Sequence, residues 1–264
     1  MLLVLLALLE CAQYTALTVE VPEGFDARRD AVELAELFAN ERGDYAAAMH
    51  FLCGAGRELS AADRVSMIAH VGRMQRGETK EPLVFCDHVT SGDGLHECAL
   101  RLQSELAPAL QARYESVPKS ASLETLRKRA DPFIAADAEW ETELSRGEPA
   151  YPSMAILTRL DREEAFVELL ELYSRQRAPA ATAADRKAAE KELREVYWGL
   201  RDEVSPDVDY QLNLAQHAWV TYRNAWIAYY LDRWRGAAAP RALRLEIETA
   251  LTKARTDGLK PVLR

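Results

Sequence analysis

Two long apolar periodicities joined by a short turn constrain the fold of this chain most strongly. The first recurs every three or four positions through Ala189, Leu193, Val196, Leu200 and Val204. The second continues with the same spacing through Val208, Leu212, Ala215, Trp219, Tyr222, Trp226 and Tyr229. Such spacings place the side chains on one face of a helix. Because a proline interrupts the pattern at 204–207, we predict two helices packed antiparallel along coiled-coil-like seams.

The composition extends the helical interpretation to the whole chain. Among 264 residues there are only 12 Gly and 11 Pro, below the average usage of about 7% and 5%. Alanine, the strongest helix former, recurs throughout. No segment alternates apolar and polar residues for long enough to predict a β-sheet. We therefore expect an all-α fold, built from antiparallel helical hairpins in two helical subdomains.

Further helices follow from the same periodicity. They are predicted at residues 26–40, 45–53, 60–74, 122–144, 161–176 and 241–256, and another begins at residue 95. Pro108 lies inside that last helix, and because proline costs about 3 kcal/mol in a helix interior, we expect a kink or a break there. Asp161 is the predicted N-cap of its helix. Turn residues predict an irregular segment at 77–94 and a linker at 145–152.

These elements divide the chain into four predicted regions. Residues 1–16 form a signal peptide, because 1–9 are an uncharged apolar run, far shorter than the roughly 20 residues of a membrane span. The alternative is a buried first helix of a cytosolic protein. Residues 17–76 form an N-terminal helical hairpin region, and 77–146 and 153–264 form two further helical regions. We expect a periplasmic or secreted protein without a membrane span in its mature form.

The charge balance limits the classes of partner. The chain has 33 Lys and Arg against 42 Asp and Glu, a net charge of −9. Nucleic acids and anionic membranes are bound through clustered positive charge, so both are excluded as main partners. A basic protein is the partner that the composition favours.

Two cysteines in and beside the irregular segment predict a disulfide. Cys86 and Cys98 flank eleven residues that are rich in turn formers. An oxidising compartment would join them, and closing so short a loop contributes about 3 kcal/mol. The alternatives are free thiols, or zinc bound by these cysteines with His88 and His96. Cys53 has no partner nearby in the sequence and is interpreted as a buried small hydrophobe, with membership of the oxidised pair as the alternative.

The aromatic residues of the second periodic helix are interpreted mainly as core. Those that continue its apolar seam, and are predicted to face the preceding helix, are Trp219, Tyr222 and Trp226. A carbohydrate or ligand platform is the alternative. Tyr230 and Trp234 drift off the seam and are the candidates for an exposed patch or a domain interface. Arg223 is predicted to lay its stem along the seam and to pair with an acid of the neighbouring helix.

Enzyme signatures are absent from the sequence. It contains no G-x-S-x-G, H-E-x-x-H or P-loop motif, and no G-x-G-x-x-G followed by a helix. We therefore expect a protein that is not an enzyme and that has no cofactor and no metal site.

Part of the chain resembles a known family. Its motif is Leu193-x3-Tyr197 in the first periodic helix, followed in the second by Ala215-Gln216-x2-Trp219-x2-Tyr222-Arg223. This pattern is similar to the LprI-type lysozyme-inhibitor family of small, secreted, helical bacterial domains. Cys86 and Cys98, leading to Tyr114, resemble the two-cysteine start of that domain, about 90 residues upstream. The domain is then either split by an insertion or present twice, with residues 130–140 as a degenerate copy.

The resemblance implies a secreted all-helical protein that binds and inhibits lysozyme, with the motif residues as scaffold. The chain departs from the family at Asn224, where Asp is usual, and near Ile227, where the family often has a cysteine. A second disulfide through that helix is therefore not available.

Three functional hypotheses follow. The first is an exported, non-enzymatic binding protein, a lysozyme inhibitor, whose acidic surface attracts lysozyme or another basic envelope protein. The second is a cell-envelope interaction or assembly module, because residues 45–74 resemble a TPR-like helix pair. The third is an enzyme that acts on cell-wall glycan through a carboxylate pair.

Overall fold

The computed structural model describes residues 63, 66, 69, 70, 73, 77–81, 84–90, 92–148 and 150–260. In these residues the chain is all-helical, as predicted, and contains no β-strand. After a 3₁₀ turn at Phe85–His88, the helices are α1 (Gly92–Glu115), α2 (Ala121–Glu143), α3 (Tyr151–Arg175), α4 (Ala183–Glu203), α5 (Pro206–Arg233) and α6 (Pro240–Leu259). None of the described helices combines the length and apolar character that a membrane crossing requires.

Several predictions near the N-terminus fall outside the described residues. These are the signal peptide at 1–16, the helices at 26–40 and 45–53, and Cys53. For the helix predicted at 60–74, the described positions are helical: Asp63, Ser66, Ala69, His70 and Arg73.

The described residues fall into two compact units. The disulfide unit contains those up to Leu102 and those at 147–154, and the helical unit contains Gln103–Arg146 and 155–260. Both α1 and α3 contribute residues to each unit. The domain boundaries expected from the sequence, at 77–146 and 153–264, remain predictions.

Helix α5 is the central element of the helical unit. It packs along α2 and α6, and α4 packs along α6. Its buried side chains lie on more than one face: Val208, Leu212, Ala215, Trp219, Tyr222, Ala225, Trp226, Ile227, Tyr229 and Tyr230. A helix with so wide an apolar surface must be covered by several neighbours, which places α5 inside the unit.

Local sequence determines where the helices of this unit begin. Ser120 caps α2, because its hydroxyl accepts a hydrogen bond from the backbone N–H of Leu123 at 3.1 Å. Thr182 and Asp185 form a capping box at the start of α4. Ser205 caps α5 and is followed by Pro206 at the first helical position, where a missing N–H costs nothing.

Two sequence predictions about helix boundaries are wrong, and a third is tested in part. Helix α1 continues through Pro108, so the break is excluded and the kink remains a prediction. The loss of one backbone donor is tolerated within a helix of 24 residues. Helix α3 begins ten residues before Asp161, which is therefore not an N-cap. Pro152 lies in the first turn of α3, because that position needs no N–H donor, and does not belong to a linker.

The aromatic seam of α5 faces different neighbours from those predicted. The Tyr222 ring stacks on Phe133 of α2 with a centroid distance of 4.6 Å. It also meets Phe166 of α3 edge to face at 6.2 Å, and Trp226 meets Tyr173 of α3 at 6.1 Å. The sequence predicts that this seam faces α4. A heptad spacing indicates that one face of a helix is buried, but it does not identify the helix that covers that face.

The central position of α5 makes Trp226 a sensitive test of the core. Its side chain is fully buried, whereas that of Trp198 on α4 is 51% exposed. We expect Trp226→Ala to lower the free energy of unfolding by about 3–5 kcal/mol, because a large cavity opens. Trp198→Ala, which loses a contact with Arg201, should cost about 1 kcal/mol or less. Urea unfolding measures both, and equal losses would contradict this description of the core.

Candidate functional site

The residues of the family motif lie on two helices of the helical unit. Leu193 and Tyr197 are on α4, and the others, Ala215, Gln216, Trp219, Tyr222 and Arg223, are on α5. Four of the seven side chains are buried: Leu193, Ala215, Trp219 and Tyr222. Tyr197 is half-buried, and its hydroxyl donates a 2.6 Å hydrogen bond to Asn213 Oδ1. The bond between Tyr197 and Asn213 therefore ties α4 to α5, and the four buried side chains belong to the hydrophobic core of the unit.

Tyr222 shows how completely this part of the site is enclosed. Burial raises the pKa of its hydroxyl well above the usual value. A carbohydrate platform needs exposed aromatic faces, whereas Trp219, Tyr222 and Trp226 are each at most 5% exposed. The interpretation of the seam aromatics as core is confirmed.

Arg223 does not form the predicted ion pair. Its guanidinium lies over the Trp219 ring, 4.9 Å from the centroid, and among the described residues it has no carboxylate partner. The buried acids of α6 form ion pairs with other arginines: Glu246 pairs with Arg177, and Glu248 pairs with Arg186. A cation–π contact on the helix's own surface therefore replaces the expected pair.

Tyr230 is not exposed, contrary to the sequence prediction. It is fully buried, and its hydroxyl accepts the backbone N–H of Ala178 at 2.8 Å and donates to Glu246 Oε2 at 3.0 Å. Burial raises the pKa of Tyr230 to about 12, so the hydroxyl keeps its proton and can donate. Tyr230 lies off the face of α5 that carries Trp219, Tyr222 and Trp226. It packs on another face, against α6 and the segment after α3.

Trp234 is half-buried and has a structural partner. Its indole N–H donates to the backbone oxygen of Tyr173 at 3.0 Å. Arg233 likewise donates from Nε to the backbone oxygen of Ser174 at 2.9 Å. These two bonds satisfy carbonyls at the C-terminal end of α3, so the end of α5 anchors the end of α3.

A buried charge network holds α2, α3 and α6 together. Asp137 pairs with Arg255, and both side chains are 4% exposed. Arg162 Nε donates to the second Asp137 oxygen at 2.8 Å, and Trp140 Nε1 donates to Asp137 Oδ1 at 2.8 Å. Arg162 also pairs with Glu141. Sequence reasoning missed this network, because α2, α3 and α6 are far apart in the chain and only its α2 members, Asp137, Trp140 and Glu141, show a helical spacing.

The environment of Asp137 favours its charged form. Burial is the largest influence and raises the pKa of the carboxyl, but Arg255, Arg162 and the hydrogen bonds together outweigh it. The pKa therefore lies below the ordinary value of 3.8. Breaking such a pair strands a buried charge, which is costly.

The disulfide unit contains the predicted cysteine pair. The sulfur atoms of Cys86 and Cys98 lie at bonding distance, with their Cα atoms 5.7 Å apart. The bond joins the 3₁₀ turn to α1, and the turn also buries Phe85 completely. This geometry is that of the predicted disulfide between the two residues.

The histidines near the disulfide make contacts of their own. His88 Nδ1 lies 2.9 Å from Ser66 Oγ, and its ring meets that of His70 edge to face at 5.0 Å. Burial and the neighbouring His70 lower the pKa of His88. In the described part of the chain, no group of three or more His, Cys, Asp or Glu side chains could hold a metal ion.

Comparison with protein families identifies the segment that carries the motif. Residues 173–259 match the model of the family described as "Lysozyme inhibitor LprI". The match covers about a third of the chain, and it contains α4, α5, α6 and every motif residue from Leu193 to Arg223. The family resemblance of this segment is confirmed. Cys86 and Cys98 lie outside it, so their relation to the family remains a prediction.

Two further comparisons bring no relative. Neither the curated proteins nor the solved structures contain a significant match to the chain.

The charge network predicts an acid-sensitive contribution to stability. Since the pKa of Asp137 is lower in the folded protein, its contribution is fully present above 3.8, the ordinary value, and is lost as the pH falls below it. We expect Asp137→Asn to lower the free energy of unfolding by about 3–5 kcal/mol at neutral pH. Urea unfolding of both proteins over an acidic pH series measures the difference.

The same series contains its own control. Asp202→Asn alters an exposed carboxyl on α4 and should change the free energy of unfolding by no more than about 0.5 kcal/mol. A deficit in Asp137→Asn that stays constant as the pH falls below 3.8 would contradict the depressed pKa.

The disulfide can be checked directly on the purified protein. Peptide mapping without reductant should recover the Cys86 and Cys98 peptides joined to each other, and reductant should separate them. Replacing both cysteines by serine should destabilise the disulfide unit by about 3 kcal/mol. Stoichiometric zinc, or two alkylated thiols at these positions, would contradict the assignment.

Proposed function

We propose that this chain is an exported, non-enzymatic binding protein that inhibits lysozyme. The observation that carries the proposal is the match of residues 173–259 to the lysozyme-inhibitor family. That segment includes three complete helices of the helical unit, so the matched sequence corresponds to a large part of one folded core.

The charge of the chain supports a basic partner. A net charge of −9 attracts a basic protein over a range set by the Debye length, about 8 Å at physiological ionic strength. Such steering raises the association rate more than it lowers the dissociation rate. Inhibition should therefore weaken as salt is added.

The buried acids of the helical unit support a non-enzymatic role. There are four, Asp137, Glu143, Glu246 and Glu248, and each pairs with an arginine. A glycosidase needs one carboxyl that holds its proton near neutral pH. For Asp137 the arginine partners work against this, because they hold the pKa of its carboxyl below the ordinary value.

Export is part of the proposal and rests on the sequence. Residues 1–9 have the length and apolar character of the core of a signal peptide, and the disulfide between Cys86 and Cys98 suits an oxidising compartment. The protein would then meet lysozyme in the periplasm or outside the cell.

An activity titration tests the proposal. Purified lysozyme is assayed on cell walls while the full-length chain is added up to micromolar excess, and we expect activity to fall to a low plateau. The control is an unrelated protein of the same net charge. A second assay on a short soluble glycan distinguishes binding to lysozyme from coating of the cell wall. Undiminished activity in both assays would contradict the proposal.

A further inference from the structure

The turn between α4 and α5 borders a cleft of about 480 Å³ in the helical unit. Its apolar lining comes from Leu200, Val204 and Val208, together with Leu144 after the end of α2. Leu200 and Val208 are buried, but Leu144 is 43% exposed. The cleft therefore offers an apolar contact mainly through Leu144 and Val204.

Three carboxylates surround this apolar lining. They belong to Glu143, Glu203 and Asp207. Arg146, the one cation among the lining residues, already pairs with Glu143 and donates to it from Nη2 at 2.6 Å. Among the described residues, Glu203 and Asp207 form no ion pair, and both are exposed. The cleft therefore combines an apolar lining with two uncompensated negative charges.

We propose that this cleft binds an arginine side chain of a basic protein. The apolar methylenes of arginine fit against the leucine and valine side chains, while its guanidinium reaches the carboxylates of Glu203 and Asp207. Arginine is favoured over lysine because the planar guanidinium is weakly hydrated and bonds two oxygens at once. The inference deepens the proposed function, since it assigns the surface through which a basic hydrolase would be bound.

Exposed aromatic residues occur on the same two helices, close in sequence to residues that line the cleft. Trp198 is 51% exposed, two residues before Leu200, and Tyr210 is 62% exposed, two residues after Val208. The Arg201 guanidinium lies 4.7 Å from the centroid of the Trp198 ring and bonds Asp209, which adds to the order of this end of the hairpin. Tryptophan, tyrosine and arginine are the residues most often found at energetic hot spots of interfaces.

The first test uses a peptide and does not require lysozyme. The full-length chain, with labelled Leu and Val methyl groups, is titrated with a short capped peptide that contains one arginine among glycine and serine. A second peptide carries citrulline, which has a similar shape without the charge. We expect methyl shifts of Leu144, Leu200, Val204 and Val208 with the arginine peptide only. Equal shifts with both peptides, or shifts only elsewhere, would overturn the inference.

Two matched double variants connect the cleft to affinity. Glu203→Gln with Asp207→Asn removes the uncompensated charges of the cleft. Glu168→Gln with Glu195→Gln removes the same charge from exposed positions outside it. The first variant should weaken binding of the arginine peptide and of lysozyme by about tenfold, and the second should change neither by more than about twofold. Unchanged thermal midpoints establish that both variants are folded.

The outcomes separate this inference from the proposed function. If the wild-type chain binds lysozyme and the two variants bind equally well, the cleft is not the binding surface and the inhibitor proposal stands. If lysozyme does not bind but the arginine peptide shifts the cleft methyls, the inhibitor proposal fails and the cleft assignment stands.

Discussion

The packing of α5 among its neighbours is the interaction on which the helical unit depends. Tyr222 lies on Phe133 of α2, Trp226 meets Tyr173 of α3, and Tyr230 bonds Glu246 of α6. Burial of these aromatic surfaces provides most of the driving force. The Asp137–Arg255 pair joins α2 to α6, and removing either partner would leave a buried charge without its counter-ion.

The burial of these aromatic residues in the core limits the role of the family motif. Trp219 and Tyr222 are enclosed, Tyr197 joins α4 to Asn213, and Arg223 lies over a ring of its own helix. The motif therefore explains why the segment folds and does not itself present a surface to a partner. The proposed binding surface lies elsewhere, at the α4–α5 turn, where the carboxylates of Glu203 and Asp207 are exposed.

Sequence reasoning could predict what depends on local spacing. The helical class, the span of α2, predicted at 122–144, and the pairing of Cys86 with Cys98 follow from periodicity and loop length. It could not identify the helices that cover α5, because residues of α2 and α3 lie far away in the chain. For the same reason the sequence does not reveal that Tyr230 is buried, or that the partners of Asp137 lie on α3 and α6. The α4–α5 cleft likewise needs α2 to complete it.

The central claim is that the motif residues form the scaffold while a separate surface binds the partner. Hydrogen exchange of the full-length chain, measured alone and with lysozyme, tests it most directly. We expect the amides of Trp219 to Tyr230 to exchange slowly in both states, and new protection on binding to appear around residues 200–210. New protection confined to the buried motif residues, with none at the α4–α5 turn, would contradict the claim.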